Sequence, residues 1–381
     1  MEFRVLNERE IPEAKALWRY CFEDSAEFTD GYFAHRAVEA LGLFDSRLAA
    51  QLVVAPVEYR VRDQVIPGSI VSGVATRPEL RGRGLAGRLM GEGLRRMRAR
   101  GLALASLYPF EYGFYRRFGW AAGSDMLHLE LPTERLPSAR GEGEIEPLSL
   151  DRTETATRLS RAYAACFARY SGVAVRGARE FALRCGELAL DGGYAALYRV
   201  GDVCEGYLLY RFDGDRIAVE EFGASTPRAR LGLASLVAAH APTHPRASLE
   251  LPPDDPLYRM IPEPRGAARL EPHAMYRVLD VERLMRGFRA GRGEVDLNVE
   301  DREIPENSGT WRFHSDGGEL VAERATIADA PRIGIGALAA WAVGYLSGSE
   351  LRDAGEAIPA QAAGRMDALL PKQPVFLYEK Y

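Results

Sequence analysis

Lysine is almost missing from this 381-residue chain: only Lys15, Lys372 and Lys380 occur, and arginine supplies the rest of the 49 basic side chains. Genome composition can produce that bias, so no function is read from it. Cysteine is scarce too. Cys21, Cys166, Cys185 and Cys204 form no CxxC pair and no metal-ligand spacing, which argues against a disulfide scaffold and for core thiols in a reducing compartment. The six histidines do not cluster. His240 and His244 have an i,i+4 spacing, but Pro242 and Pro245 interrupt any shared helix face, so no metal is expected. Long apolar runs are missing as well: residues 333–346 fall short of the ~18 a membrane helix needs, and read instead as a buried core helix. The charged start Met1-Glu2-Phe3-Arg4 lacks the apolar stretch of a signal peptide. The expected location is cytoplasmic, with export by a route without a signal left open. Net positive charge is also absent, at −5, which excludes a surface that coats nucleic acid.

What is present suits a soluble multidomain protein. Hydrophobic residues make up 47% and charged residues 27%, and at roughly 150 residues per domain the length predicts two or three domains. Residues 1–130 read as a helical opening, strands over 47–54 and 57–62, a strand over 69–76, a helix near 85–98 and a strand over 102–108. Residues 131–146, with Pro132, Pro137 and Arg140-Gly141-Glu142-Gly143, read as an exposed linker. A second mixed unit over 147–277 carries a helix at 159–167 and strands at 194–200, 206–212 and 217–222, with a hairpin turn at Asp213-Gly214-Asp215. A third unit from 278 starts with a helix over 281–288, continues with strands at 295–299, 309–313 and 319–327, and then forms the apolar helix near 335–346. It ends on the apolar, β-like Pro374-Val375-Phe376-Leu377-Tyr378-Glu379-Lys380-Tyr381.

The most informative stretch is Ser72-Gly73-Val74-Ala75-Thr76-Arg77-Pro78-Glu79-Leu80-Arg81-Gly82-Arg83-Gly84-Leu85-Ala86-Gly87-Arg88-Leu89. A strand ends, a glycine-rich arch follows, and an amphipathic helix begins with Leu85, Leu89, Met90, Leu94 and Met97 on one face. The first N–H groups of such a helix bind anions, and glycines let phosphate approach the backbone. Residues 77–100 hold eight arginines against Glu79 and Glu92. A bound polyphosphate and a solvated charged helix face explain that composition equally well. Gly82, Gly84 and Gly87 also match GxGxxG, with Glu111 as a ribose-binding acid. A dinucleotide fold, however, needs its first glycine directly after the strand, and Arg77–Arg81 intervene.

The pattern Arg81-x-x-Gly84-x-Ala86, preceded by Val74-x-Thr76-x-Pro78, resembles the acetyl-CoA signature of the GNAT superfamily of N-acetyltransferases. The later stretch Phe114-Tyr115-Arg116-Arg117-Phe118-Gly119-Trp120 resembles the corresponding motif of the Eis-like (enhanced intracellular survival) family, and Met275-Tyr276-Arg277-Val278-Leu279-Asp280-Val281 resembles its domain boundary. That resemblance implies an α+β fold: two tandem GNAT-like mixed-sheet domains, at 1–130 and 147–277, and a sterol-carrier-protein-like α+β domain at 278–381. It implies acetyl-CoA as co-substrate, no metal, and a primary amine (aminoglycoside, polyamine or lysine side chain) as acceptor. Attack would be direct, in a ternary complex. In this chain's numbering, Val74, Ala75 and Thr76 would contact pantetheine and the acetyl carbonyl through the backbone. Arg81, Gly82, Arg83, Gly84, Leu85, Ala86 and Gly87 would hold the pyrophosphate. Phe110 and Glu111 would touch the cofactor, and Asp24 would line the amine pocket.

Acyl transfer from a thioester needs a base for the ammonium, donors for the oxyanion and an acid for the thiolate. The resemblance makes Tyr115 the acid and the terminal carboxylate of Tyr381 the base. It implies a homo-oligomer, with a hexamer among the options, while the charge and the short apolar runs already give the expectation of no nucleic-acid and no membrane partner. The second unit lacks a counterpart of the signature and is expected not to bind acetyl-CoA. A lipid carrier and a non-catalytic acetyl-CoA sensor are the alternatives.

Overall fold

The computed structural model describes residues 1–35, 37–139 and 142–379. In chain order it begins with β1 (Glu2–Val5), α1 (Ile11–Phe22), α2 (Ala26–His35), β2 (Glu39–Asp45), β3 (Arg47–Val61), β4 (Gln64–Thr76), α3 (Leu85–Ala99), β5 (Leu104–Leu107), α4 (Tyr112–Arg116) and β6 (Ala121–Ala122). Next come β7 (Asp125–Pro132), β8 (Glu144–Leu148), α5 (Thr153–Cys166), β9 (Val173–Ala174), α6 (Ala178–Leu190), β10 (Tyr194–Val200), β11 (Val203–Asp213), β12 (Arg216–Ala224), α7 (Pro227–Ala238), β13 (Arg246–Leu251), α8 (Leu257–Met260) and β14 (Ala268–Pro272). The last part holds β15 (Met275–Val278), α9 (Val281–Met285), β16 (Arg292–Glu300), β17 (Gly309–Asp316), β18 (Val321–Arg324), β19 (Arg332–Gly334), α10 (Ile335–Val343), α11 (Gly348–Asp353) and α12 (Ala360–Leu369).

The described chain divides into two compact units that do not follow chain order. One holds residues 1–124, 171–174 and 273–381; the other holds 125–170 and 175–272. The first unit's large sheet runs β1-β2-β3-β4-β5-β15-β6, with β9 on β3. β15, at the expected boundary near 277, is thus an internal strand of this sheet, its Met275 opposite Leu107. The expected strand break at residues 55–56 does not occur, and β3 runs through Pro56. β2 pairs only as far as Val54, so the proline lies where that edge of β3 is open and a missing N–H costs no ladder bond. The expected linker 131–146 is also partly structured. Leu131 and Pro132 complete β7, Leu136 is buried, and β8 starts at Glu144; Arg140 and Gly141 lie outside the described residues.

The smaller sheet of this unit, β18-β17-β16-β19, packs with α9 to α12. One apolar core joins Trp311, Phe313, Leu338 and Trp341 to Tyr59, Val61, Leu104 and Tyr276 on the large sheet. The expected helices shorten in place. α10 stops at Val343 because Gly344 turns left-handed at φ +93°, and α9 ends at Met285. Arg62, left-handed at φ +56° in the β3–β4 turn, donates to the carbonyls of Ala342 (2.8 Å), Trp341 (3.0 Å) and Pro371 (2.9 Å). The cation thereby satisfies the carbonyl end of α10. The second unit's sheet runs β14-β7-β13-β12-β11-β10-β8.

Candidate active site

β4 pairs with β3 as far as Thr76, but with β5 only from Gly68 to Ile70, opposite Leu104 to Ser106. From Val71 onward the two parallel strands separate, and the β5-side edge of β4 has no ladder partner among the described residues. The same stretch carries a bulge: Gln51 faces Ala75 and Val53 faces Ser72, leaving Gly73 and Val74 both against Leu52. Gly73 is left-handed at φ +55°, and a Cβ there would come 2.4 Å from the Trp18 ring. α1 places Trp18, and Asp24 holds it by accepting its indole N–H at 2.7 Å. Tyr32 of α2 shares a 2.7 Å hydrogen bond with Ser72 Oγ. Asp24, expected to line the amine pocket, therefore already has a positioning task at the bulge.

The arch follows. Arg77 pins its start, donating to the Leu48 carbonyl at 2.5 Å and pairing with Glu13 at 2.6 Å. Gly82 and Gly84 are left-handed at φ +77° and +73°, with nothing within 4 Å of where a Cβ would stand. Backbone conformation, not crowding, demands glycine at both. Gly84 precedes α3 without any side-chain cap, so the first-turn N–H groups of Leu85, Ala86 and Gly87 face an exposed arch. The Leu85 side chain is buried in the core, and only its backbone is available to a ligand. The arginine excess of this segment resolves into two sets. Arg77, Arg95, Arg96, Arg98 and Arg100 pair with Glu13, Glu303, Glu39 and Asp280. Arg81, Arg83 and Arg88 are exposed and have no carboxylate partner among the described residues. The charge without a carboxylate partner sits on the arch and the first turn of α3, which fits a polyphosphate. Cys21 Sγ lies 3.7 Å from an Arg81 guanidinium nitrogen.

Beyond β5 the aromatic segment forms only the short α4, because Gly119 turns left-handed at φ +78°. Tyr115 is 3% exposed and boxed edge-on by Phe110, Phe114 and Trp120, with centroids at 5.4, 5.0 and 6.4 Å. Burial pushes its phenol above the ordinary tyrosine value, so at neutral pH it carries its proton. Phe110 is exposed at 64%, and Glu111 is exposed beside it. The structure adds His273, which no motif marked. β15 brings it next to the end of β5, its ring 5.1 Å from Tyr108, and Tyr112 donates to its carbonyl at 3.2 Å.

Tyr381 and Lys380 lie outside the described residues. The segment before them is docked, with Val375 to Glu379 buried and Ser171 exchanging backbone bonds with Pro374 (2.9 Å) and Phe376 (3.1 Å). Among the described residues no group of His, Cys, Asp and Glu is arranged to hold a metal, and no helix is long and apolar enough to cross a membrane.

Comparison with known proteins agrees with this architecture. Residues 2–123 and 172–278 each match an acetyltransferase (GNAT) domain family, and residues 281–378 match a sterol carrier protein domain family. A Streptomyces avermitilis protein named an uncharacterized N-acetyltransferase is 30% identical over 359 residues, covering 87% of this chain and 85% of that one. Among solved structures, a GCN5-related N-acetyltransferase from Anabaena variabilis superposes with a TM-score of 0.88 at 17% identity, over 100% of both chains. Eis1 from Mycobacterium abscessus superposes with a TM-score of 0.80 at 21% identity, again over 100% of both. At such identities these structures speak for the fold.

Proposed function

The chain belongs to the GNAT N-acetyltransferases, in the Eis-like arrangement of two such domains and a sterol-carrier-like one, and from that premise we propose that it moves the acetyl group of acetyl-CoA onto a primary amine. The observation that carries this reading is a convergence on one sheet edge: an uncapped arch, a bulged and unpaired end of β4, and a buried protonated phenol one strand away.

In this reading the first-turn amides of α3 bind pyrophosphate together with Arg81, Arg83 and Arg88, which have no carboxylate partner among the described residues. Backbone N–H groups between Val74 and Thr76 receive the thioester carbonyl and stabilise charge developing there. The amine nitrogen forms its bond to the carbonyl carbon as the carbon–sulfur bond breaks. The carboxylate of Tyr381 takes one proton from the ammonium to free the attacking lone pair, the Tyr115 phenol gives its proton to the departing sulfur, and the second proton shed by the new amide nitrogen restores the phenol. Asp24, with Trp18, shapes the amine side of the bulge. Aminoglycosides, polyamines and lysine side chains are the acceptor classes that suit this chemistry. The packing of Trp311, Phe313, Leu338 and Trp341 in the third domain's interior supports a scaffolding role for that domain over a lipid-carrying one.

The test is release of free thiol from acetyl-CoA with a panel of these amines. Turnover with at least one is expected, whereas acetyl-CoA binding without turnover on any amine would overturn the reading in favour of a sensor. Removing Tyr381, or adding one residue after it, should abolish most turnover and leave acetyl-CoA affinity intact; full activity in either variant refutes the base assignment.

A further inference from the structure

The segment leading out of α4 is seated on the sterol-carrier-like part of the same unit. A Cβ on Gly119 would lie 2.5 Å from Ile335 Cγ2 and 3.0 Å from Arg277 Nε. A Cβ on Gly336, one residue into α10, would lie 3.3 Å from the Gly119 carbonyl oxygen and from Ala121 Cβ. The glycine of the Phe118-Gly119-Trp120 motif is thus enforced by a left-handed turn and by close approach of residues far away in sequence.

Arg277 is the centre of this joint. Its side chain and that of Asp301 are both 0% exposed and pair at 2.5 Å. Nε donates to the Phe118 carbonyl at 2.8 Å, and Nη1 donates to the Val278 carbonyl. Phe118 in turn donates its N–H to the Tyr115 carbonyl at 2.9 Å, as Trp120 does at 3.4 Å. Asp301 is held just as firmly. Its Oδ1 accepts the N–H groups of Glu303 and Ile304, each at 3.1 Å, and its Oδ2 accepts Asn307 Nδ2 at 2.9 Å. The same loop reaches the helix behind the arch. Ile304 packs in one core with Leu94, Met97, Tyr115 and Trp120, and Arg95 donates to the Glu303 carbonyl at 3.2 Å.

A wholly buried ion pair is a poor stabiliser, because apolar residues of similar volume are often as stable or more so. An apolar pair cannot aim a donor at one particular carbonyl. The value of this pair is therefore geometric.

We propose that Arg277 and Asp301 are positioning residues of the acyl-transfer site: they fix the Phe118 peptide and, through it, the Tyr115 phenol relative to the arch. The proposal rests on Tyr115 being the proton donor. Loop 301–308 of the sterol-carrier-like domain then serves catalysis, independently of what the chain terminus does.

A kinetic double-mutant cycle on the full chain tests it, using native protein, Asp301→Asn, Tyr115→Phe and the double variant. Asp301→Asn is expected to lower kcat by about tenfold or more, since an ångström of misplacement can cost ~100-fold, with the acetyl-CoA KM held within about twofold. In the Tyr115→Phe background it should add no further loss. An equal loss in both backgrounds, or a native kcat in folded Asp301→Asn, overturns the positioning role and leaves the acid assignment standing. A native kcat in Tyr115→Phe removes the acid assignment itself, and the positioning role with it. Thermal unfolding and acetyl-CoA affinity check the fold. If Asp301→Asn unfolds at the assay temperature, Asn307→Ser, which frees Oδ2 but keeps the charge, takes its place in the same cycle with the same outcomes.

Discussion

The two strand–helix junctions of this chain, β4 to α3 and β12 to α7, start from the same design and end in opposite local geometry. In both, a parallel neighbour stops pairing partway: β5 leaves β4 after Ile70, and β13 leaves β12 after Val219. Both long strands are bulged just beyond that point, β12 at Glu220. At the first junction residues 77–84 make an open arch, and the helix begins at an uncapped glycine. At the second only Ser225 and Thr226 separate strand from helix. Thr226 caps α7 by accepting the Ala229 N–H at 3.2 Å, and Pro227 removes one donor outright. A carboxylate then fills the remaining space. Glu205 accepts from Thr226 Oγ1 at 2.7 Å and from Arg228 Nε at 2.8 Å. The residues of β12 just past the pairing, Glu220 and Glu221, are likewise engaged, Glu221 by Arg176 at 2.9 Å and by the Tyr207 hydroxyl at 2.8 Å. A helix start becomes a phosphate site only when chain length and missing caps leave its amides free; the fold alone does not make one.

One part of the proposed catalytic pattern persists in the second unit. After β13, Leu257-Tyr258-Arg259 stands on α8, where α4 carries Phe114-Tyr115-Arg116 after β5. The largest contrast should therefore be between two tyrosines. Tyr115→Phe is expected to lower kcat by about 10²–10⁴-fold, the usual worth of a general acid, while Tyr258→Phe leaves it unchanged. Steady-state thiol release measures both, and a comparable loss from Tyr258→Phe would mean that the second junction works after all. A smaller contrast concerns the two helix starts. Gly84→Val puts a branched Cβ at φ +73°, a strain of roughly 1–2 kcal/mol, and should raise the acetyl-CoA KM about tenfold. Thr226→Ala should leave that KM alone and cost about 1 kcal/mol of stability as a lost cap.

The first junction was legible in the sequence because its meaning is local. Arch glycines, arginines and the following apolar stripe lie within one short stretch, and Arg81, Arg83 and Arg88 have no carboxylate partner among the described residues. Local pattern also located β10, β11 and β12 of the second unit and the turn at 213–215, but gave no reading of β7, β8, β13 and β14. It says nothing where long-range pairing decides. Residues 275–278, at the expected boundary, are also the strand beside β5, and this register brings His273 and Arg277 next to that strand from far along the chain. Asp301 carries no motif at all. The tyrosine segment forms only the five-residue α4, because Gly119 turns left-handed at φ +78° where Ile335 and Arg277 pack close to it.

The smallest effect, and the most specific to the second junction, is its response to acid. Hydrogen bonds from Arg228 and Thr226, with attraction to Arg228, pull the Glu205 carboxyl down to about 2. In the folded protein Glu205 holds its proton more weakly than in the unfolded chain. Its contribution to stability is thus fully present above the ordinary carboxylate value and drains away as pH falls through that value towards 2. Thermal midpoints recorded between pH 5 and pH 2 should fall for the native protein and fall less steeply for Glu205→Gln, which is already weakened at pH 7. Turnover of Glu205→Gln at pH 7 should match the native enzyme, since this carboxylate closes the junction expected not to bind acetyl-CoA. Tyr115 titrates in the opposite sense. Burial raises its value, so the folded form keeps its proton past pH 10, where the unfolded chain would lose it, and stability falls as pH rises beyond that point. The alkaline limb of kcat should accordingly show no loss attributable to this phenol below pH ~10. A limb that falls earlier in native protein and disappears in Tyr115→Phe would show that the aromatic box is wetter than its packing implies, and would erase the contrast between the open junction and the closed one.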